Sequence, residues 1–444
     1  MLRLILSPSV GGTAGYLYDA VAALASSGGE AVLIVPEQYS FAAERIVLER
    51  LGTADAQRVE VLSFTRLANT VFNSVGWDKG KRLNEAGKIL LMSRALEQCA
   101  DKLTVYARSA DSPAVVRELL VLSEEFCQCA ISSEDIVSAM NNMEEGLLKD
   151  KLGDISLVFS VYDSFVSDGW LDDSRMLTRL KDKLAESGYF KNKTVFFDSF
   201  RGFTAQEFGI IGKILTQADD VCVALNAPDL TDVGSDDIFY HTKNTAKKLI
   251  KIANSVDVPC AKPVTVNEPN SDAALDALAK DFLSPEADVF EGECGSIAVV
   301  AAPDIRSECA FIAAQIKKML RTDEYRSRDI AVIVRDDKSY IRPMMTALAK
   351  CGVPVFEDRR QPVINQPLMT LVRAALKIAD TGFDTDSVLR ALKTGLCPLE
   401  ADEVSDIENY TYLWQINGSG WLKKWESSPD GFGEMTESAS AELE

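Results

Sequence analysis

The stretch Ser7–Ala14, SPSVGGTA, has the spacing of a phosphate-binding loop, G-x-x-x-x-G-K-[ST], with its leading glycine and its lysine replaced. Ser7 stands at the first glycine and Thr13 at the lysine, while Gly11, Gly12 and the start of a helix are kept. Such a loop works because glycines let backbone N–H groups converge on phosphate, the helix start adds its dipole, and lysine supplies a charge. Losing one charge-assisted contact costs about 1.5–3 kcal/mol, roughly tenfold or more in affinity. A residual anion nest is allowed; a working ATPase is not favoured. The other half of the nucleotide chemistry is damaged as well. TVFFDSF delivers Asp198 at a strand end, where an aspartate would hold magnesium, but Ser199 occupies the position of the catalytic carboxylate. Asp198 also reads as a simple turn or helix cap. Arg335, closing IAVIVR, stands where a paired lobe would present an arginine to nucleotide, and reads equally as a solvated arginine at a strand end.

Composition narrows the alternatives. The chain has 444 residues, 47% hydrophobic and 26% charged, which suits a soluble globular protein of about three domains. No apolar run reaches the roughly 18 residues needed to span a bilayer, so a cytoplasmic location with no membrane contact is expected. A net charge of −20 argues against wrapping nucleic acid by bulk electrostatics, though not against a locally positive channel. His241 is the only histidine, which disfavours Ser-His-Asp catalysis and His-rich metal sites. Nine cysteines are scattered, with Cys127 and Cys129 too close for a zinc knuckle, and read as reduced thiols.

These residues must be positioned by elements legible in the hydrophobic pattern. LRLIL, AVLIV, VEVLS, TVFF and VCVAL are continuous apolar runs separated by amphipathic helices, the mark of parallel strands buried on both faces. The fold class expected is α/β: tandem RecA-like, P-loop NTPase-like parallel-sheet domains with helical insertions. Residues 1–77 with 189–290 read as the first lobe. Residues 78–188 read as a helical insertion without strands. Residues 291–380 read as a partial second lobe with strands in SIAVVAAP, RDIAVIVRD and VPVFED, and 381–444 as the truncated start of a further helical insertion. Ligands of such sheets gather at the strand C-termini, which brings Ser7–Thr13, Pro36–Phe41 and Ser63–Arg66 to one edge.

The chain resembles the B subunit of the bacterial AddAB/RexAB-type helicase–nuclease, a relative of superfamily 1 helicases. The resemblance rests on VPEQYSFAAE, VLSFTRLANTVF, KLGDISLVFSVYDSFV, VFFDSFRGFTAQE, RSRDIAVIVRDDKSYIRPMMTALAKCGVPVFEDRRQPVINQPLMTLVRAAL and IENYTYLWQINGSGW, in order along nearly the whole chain. It implies a role in resecting double-strand breaks for recombination, a heterodimer with an A-type helicase/nuclease subunit that supplies the motor, and binding of single-stranded or end-containing double-stranded DNA. It places no cofactor in this stretch: ATP with magnesium would meet the damaged loop, and an iron–sulfur cluster belongs to a further C-terminal nuclease region. Many members keep an intact phosphate loop, and this chain departs from them.

Within the resemblance, positions matching the DNA-holding edge are Gln38 and Ser40 in PEQYSF, Phe64 and Arg66 in SFTRLA, and Phe200 or Phe203 in DSFRGF. Stacked aromatics contribute about 1–3 kcal/mol per base; glutamine can read a base edge and arginine can hold phosphate or guanine. Phe64 reads equally as a core residue. Asn69 stands where relatives often carry an aromatic. The function expected is a non-motor subunit that binds and guides single-stranded DNA. The alternatives are an active DNA-dependent ATPase with a non-standard loop and a structural partner without DNA contact.

Overall fold

The first strand, β1 (Leu2–Ser7), is apolar at every residue but Arg3 and Ser7, and it is followed by α1 (Ala14–Ser26). The same unit repeats as β2 (Glu30–Ile34) with α2 (Ser40–Asp55), and as β3 (Val59–Leu62) with α3 (Phe64–Val75). After a helical excursion the rhythm resumes in β6 (Lys193–Phe197), α9 (Ala205–Gln217), β7 (Asp220–Asn226), α10 (Tyr240–Ser255), the short β8 (Val264–Thr265) and α11 (Ala273–Asp281). The computed structural model describes all residues except 10–11, 78–79, 168, 233, 236, 267–271, 283–287, 323, 358–362, 430 and 432–444. The chain forms two compact units, Met1–Ala298 and Val299–Glu444.

In the first unit the six strands form one sheet in the order β3-β2-β6-β7-β1-β8, every pair parallel. Alternate side chains along each strand feed two cores. Leu4, Leu6, Val32, Ile34, Val195, Phe197 and Val223 face α3, α9 and α10. Ile5, Leu33, Val61, Phe196 and Ala224 face α1 and α2. Burial on both faces is why these strands are mostly apolar, interrupted only at solvent-facing positions such as Arg3 and Glu60. The register sets Ile34 beside both Leu62 and Phe197, and Ser7 beside Asn226. The loops after β3, β2 and β6 therefore lie side by side at the C-terminal edge, while the loop after β1 is separated from that of β6 by β7. This is an α/β fold consistent with a RecA-like lobe.

The excursion comprises β4 (Lys81–Arg82), α4 (Glu85–Cys99), α5 (Pro113–Gln128), α6 (Ser133–Asn141), α7 (Leu147–Ser167), β5 (Trp170–Leu171) and α8 (Met176–Ser187). It is helical, with one correction: β4 and β5 make a two-residue parallel pair, too short to leave an apolar signature in the sequence. Met92, Leu96, Leu119, Val158 and Tyr162 build a separate core, whereas Leu180 and Leu184 of α8 join the sheet core. Within the helical layer Lys88 is buried against Glu124 at 2.7 Å and Asp172 at 3.4 Å. Burial opposes its charge, but the Glu124 hydrogen bond and the surrounding carboxylates outweigh that and hold the ammonium above its ordinary range.

The second unit carries α12 (Ile305–Leu320), α13 (Asp337–Cys351), α14 (Pro367–Thr381), α15 (Thr385–Leu392) and α16 (Ala401–Leu413). The three strands expected there are not formed: among the described residues, 296–303, 330–335 and 353–357 carry no ladder pairing. Ile330 and Val353 pack under α12 and α13, but Ile333 is 93% and Phe356 89% exposed. Parallel strands are stable when both faces are covered, and here only one is. No helix among the described residues is long and apolar enough to cross a membrane.

Candidate functional site

The loop after β1 folds onto its own strand. Ser7 is fully buried, its Oγ accepts from the Ser9 N–H at 3.3 Å and lies 3.1 Å from the Ser9 hydroxyl. The Gly12 N–H donates to the Ser9 carbonyl at 3.2 Å. A Cβ at Gly12 would stand 2.2 Å from Ser7 Oγ and 2.4 Å from Ser9 Oγ, so glycine is needed for this close approach. Thr13 precedes α1, is buried, and makes no capping bond with its side chain. Gly11 lies outside the described residues. Arg50 reaches α1 from α2, but it pairs with Asp19 and donates to the Gly15 carbonyl, a turn beyond the loop. Among the described residues of the loop, Ser7, Ser9 and Gly12 bond to one another.

Asp198, just past β6, is buried, and its N–H donates to the Ile34 carbonyl at 3.1 Å. Its carboxylate accepts from the Ser199 hydroxyl at 3.2 Å and faces the Tyr18 phenol of α1. Burial pushes the Asp198 carboxyl up, against those two groups, which favour its ionised form. Burial, followed by the facing Asp198 charge, likewise pushes the Tyr18 phenol up. Ser199, with φ of 65°, is in the left-handed region, a conformation that is costly for a non-glycine residue. The Asp198 side chain thus has a hydroxyl partner within its own loop. No group of three or more His, Cys, Asp or Glu with metal-binding geometry occurs among the described residues.

The three adjacent loops after β3, β2 and β6 bring together Gln38, Ser40, Phe64, Arg66, Phe200 and Phe203. Their side chains are differently disposed. Ser63 caps α3 by accepting the Arg66 N–H, and the Arg66 guanidinium pairs with Glu44 of α2 at 2.6 Å. Ser40 is buried and donates to the Glu37 carbonyl. Phe64 is 6% exposed, with its ring 6.2 Å from Phe197, 5.8 Å from Phe200 and 6.4 Å from Phe203. Phe200 and Phe203 are half-buried, 4.8 Å apart, and lean on the sheet core. Gln38 is exposed. Arg335 belongs to the second unit, exposed at a bend immediately before Asp336, whose side chain caps α13.

Reading the sequence for matching positions passed over neighbours that the structure leaves open. Phe41 is 77% exposed and Tyr39 is about half exposed, flanking buried Ser40. Arg201, between Phe200 and Phe203, is exposed and has no ion pair within 4 Å among the described residues. The signal was available: PEQYSF places two aromatics in a polar loop just past a buried strand, where a core role would need an apolar partner. An edge with exposed rings, an amide and a free guanidinium can stack bases and hold phosphate.

Comparison with known proteins identifies the family. Residues 4–279 match the family described as "ADDB, N-terminal". A protein of Caldanaerobacter subterraneus subsp. tengcongensis, named as the B subunit of an ATP-dependent helicase/deoxyribonuclease, is 30% identical over 403 residues, covering 89% of this chain and 35% of its own length. Proteins of the same name from Clostridium botulinum, 30% identical over 422 residues, and Clostridium acetobutylicum, 29% over 432, cover 93% and 96% of this chain and 37% of their own length. The chain thus spans a little over a third of the length of these curated relatives. With the family match running through the whole six-stranded sheet and its insertion, the chain belongs to the ADDB N-terminal family.

Proposed function

We propose that this chain is the N-terminal, non-motor part of a B-type subunit of a DNA-repair helicase–deoxyribonuclease, and that it guides single-stranded DNA along the C-terminal edge of its sheet. The relatives' shared name supplies the helicase–deoxyribonuclease context, and a heterodimer with an A-type subunit would bring the ATP-driven motor. What supports the non-motor reading is that Gly12 lies tight against the Ser7 and Ser9 hydroxyls, and that Asp198 is bonded to Ser199 with the Tyr18 phenol facing it. DNA would meet Gln38, Tyr39 and Phe41 after β2 and Arg201 after β6. Phe64, Phe200 and Phe203 would form the floor beneath them, and Arg66 would swing from Glu44 to phosphate.

The test pairs two assays on the purified chain. Fluorescence anisotropy with a labelled oligothymidine should show binding that weakens as salt rises, and an ATP hydrolysis assay should stay at background with or without DNA. DNA-stimulated hydrolysis abolished by Asp198→Ala would overturn the non-motor reading. Absence of any salt-sensitive oligonucleotide binding would overturn the guiding role and favour a purely structural role.

A further inference from the structure

Most cations described above are paired, Lys88, Arg66 and Arg50 among them. The groove between α12 and α13, wholly within the second unit, is different. It encloses about 550 Å3 and is lined by Arg306 and Ala310 of α12 and by Arg342, Thr346, Ala347 and Lys350 of α13, with no carboxylate in its wall. Among the described residues, no ion pair within 4 Å engages Arg306, Arg342 or Lys350. The acids nearest in sequence are engaged elsewhere: Asp304 caps α12 by accepting from Ser307, and Glu308 accepts from the Tyr340 hydroxyl at 2.8 Å. Three like charges without an ion pair within 4 Å around one groove, Arg306 being partly balanced through space by Asp304, stand out in a chain of net charge −20.

Their spacing says more. Arg342, Thr346 and Lys350 recur every fourth residue, so they share a helix face, and at 1.5 Å per residue the two cations lie about 12 Å apart along the axis. Lys317 and Arg321, exposed like Arg306, fall on the Arg306–Ala310 face of α12 at 3.6 residues per turn, extending the positive strip. One phosphate is too small to bridge these positions; a run of linked phosphates can. Ala310, Ala347 and Pro343 keep the wall low, and the wall has none of the large aromatic anchors that carry protein–protein interfaces. Charge without anchors suits backbone contact, which positions a polynucleotide without reading its sequence.

We propose that the α12–α13 groove is a second, sequence-independent site for the phosphodiester backbone of single-stranded nucleic acid. It rests on the reading that this protein binds DNA, but uses other residues in the other unit. The test is the triple variant R306Q/R342Q/K350Q in the full chain, with K102Q/R108Q/K151Q, three exposed cations of the helical insertion, as the charge-matched control. Each single-strand phosphate contact contributes about 0.7 to the slope of log affinity against log salt. The groove variant should therefore lose about two units of slope and roughly tenfold affinity for oligothymidine at low salt, while the control should stay near wild type. In the unmodified chain, bound oligonucleotide should protect Cys351, at the groove wall, from alkylation, and leave exposed Cys129 and Cys260 reactive. A groove variant equal to its control, or Cys351 labelled equally with and without oligonucleotide, overturns the proposal. So does a variant that loses affinity for polyglutamate and not for oligothymidine, which would mark an acidic protein's site. Oligonucleotide binding that is undiminished, with unchanged salt slope, in the groove variant but fails when Tyr39 and Phe41 are replaced overturns this site alone and leaves the sheet-edge reading standing.

Discussion

Two sets of residues along the same sheet edge, one formed by the loop after β1 and by Asp198 and Ser199 near α1, the other by the loops after β2, β3 and β6, use similar residue types in opposite ways. At the first, Ser7 bonds to Ser9 and Asp198 to Ser199, with the Tyr18 phenol facing Asp198. At the second, Gln38, Tyr39 and Phe41 stand open to solvent, and Phe64, Phe200 and Phe203 pack together in the neighbouring loops. A corner whose polar groups are already satisfied gains little from a ligand, because binding must first break what is there. The open corner keeps its interaction capacity for a partner. One RecA-like frame thus holds a corner whose described polar groups bond to one another beside a corner whose polar and aromatic side chains stay exposed.

Mutations should separate the corners, and the largest effect belongs to the floor. Phe64→Ala should cost about 3–5 kcal/mol of stability, the range for a buried aromatic truncation, seen as a lowered denaturant midpoint; a loss under about 1 kcal/mol would show that Phe64 is not a core residue. Gly12→Ala should cost about 1–3 kcal/mol, since its Cβ would collide with Ser7 and Ser9, and it should leave oligonucleotide affinity alone. Tyr39→Ala with Phe41→Ala should invert that pattern. Stability should change by less than about 1 kcal/mol, as for exposed positions, while oligonucleotide affinity drops roughly fivefold to 150-fold for each base stack removed.

The pH dependence of Asp198 gives a subtler sign. The Asp198 carboxyl is raised in the fold, so its contribution to stability is fully present below the unfolded value of about 3.9 and is lost as pH rises through the folded value. Asp198→Asn cannot ionise. It should match or exceed wild-type stability at about pH 7, with the difference shrinking as pH falls toward about 4. A variant that loses stability at neutral pH and regains it in acid would show that the ionised carboxylate is the favoured state. Smallest of all, Arg66→Gln removes a half-exposed pair with Glu44 and should change stability by at most about 1 kcal/mol.

Much of the first unit was legible because its strands are buried on both faces and separated by amphipathic helices; the runs at Leu2–Leu6, Ala31–Val35 and Val195–Phe197 admit few other readings. The same cue failed at 330–335. An apolar run reports a tendency to be buried, and whether a ladder partner covers Ile333 is a tertiary fact absent from the run itself. Side-chain commitment was hidden for a related reason. Phe64 and Phe41 are both aromatics close to strand ends, and only packing shows one in the core and the other in solvent. The Tyr18–Asp198 contact joins residues far apart in sequence, and no local spacing rule reaches that far.

Calorimetric titration of the purified chain with magnesium and ATP decides whether the loop after β1 and Asp198 can still hold nucleotide. The non-motor reading predicts no saturable heat at millimolar nucleotide, for the wild type and Asp198→Asn alike. Sub-millimolar affinity in the wild type, lost in Asp198→Asn, would contradict it.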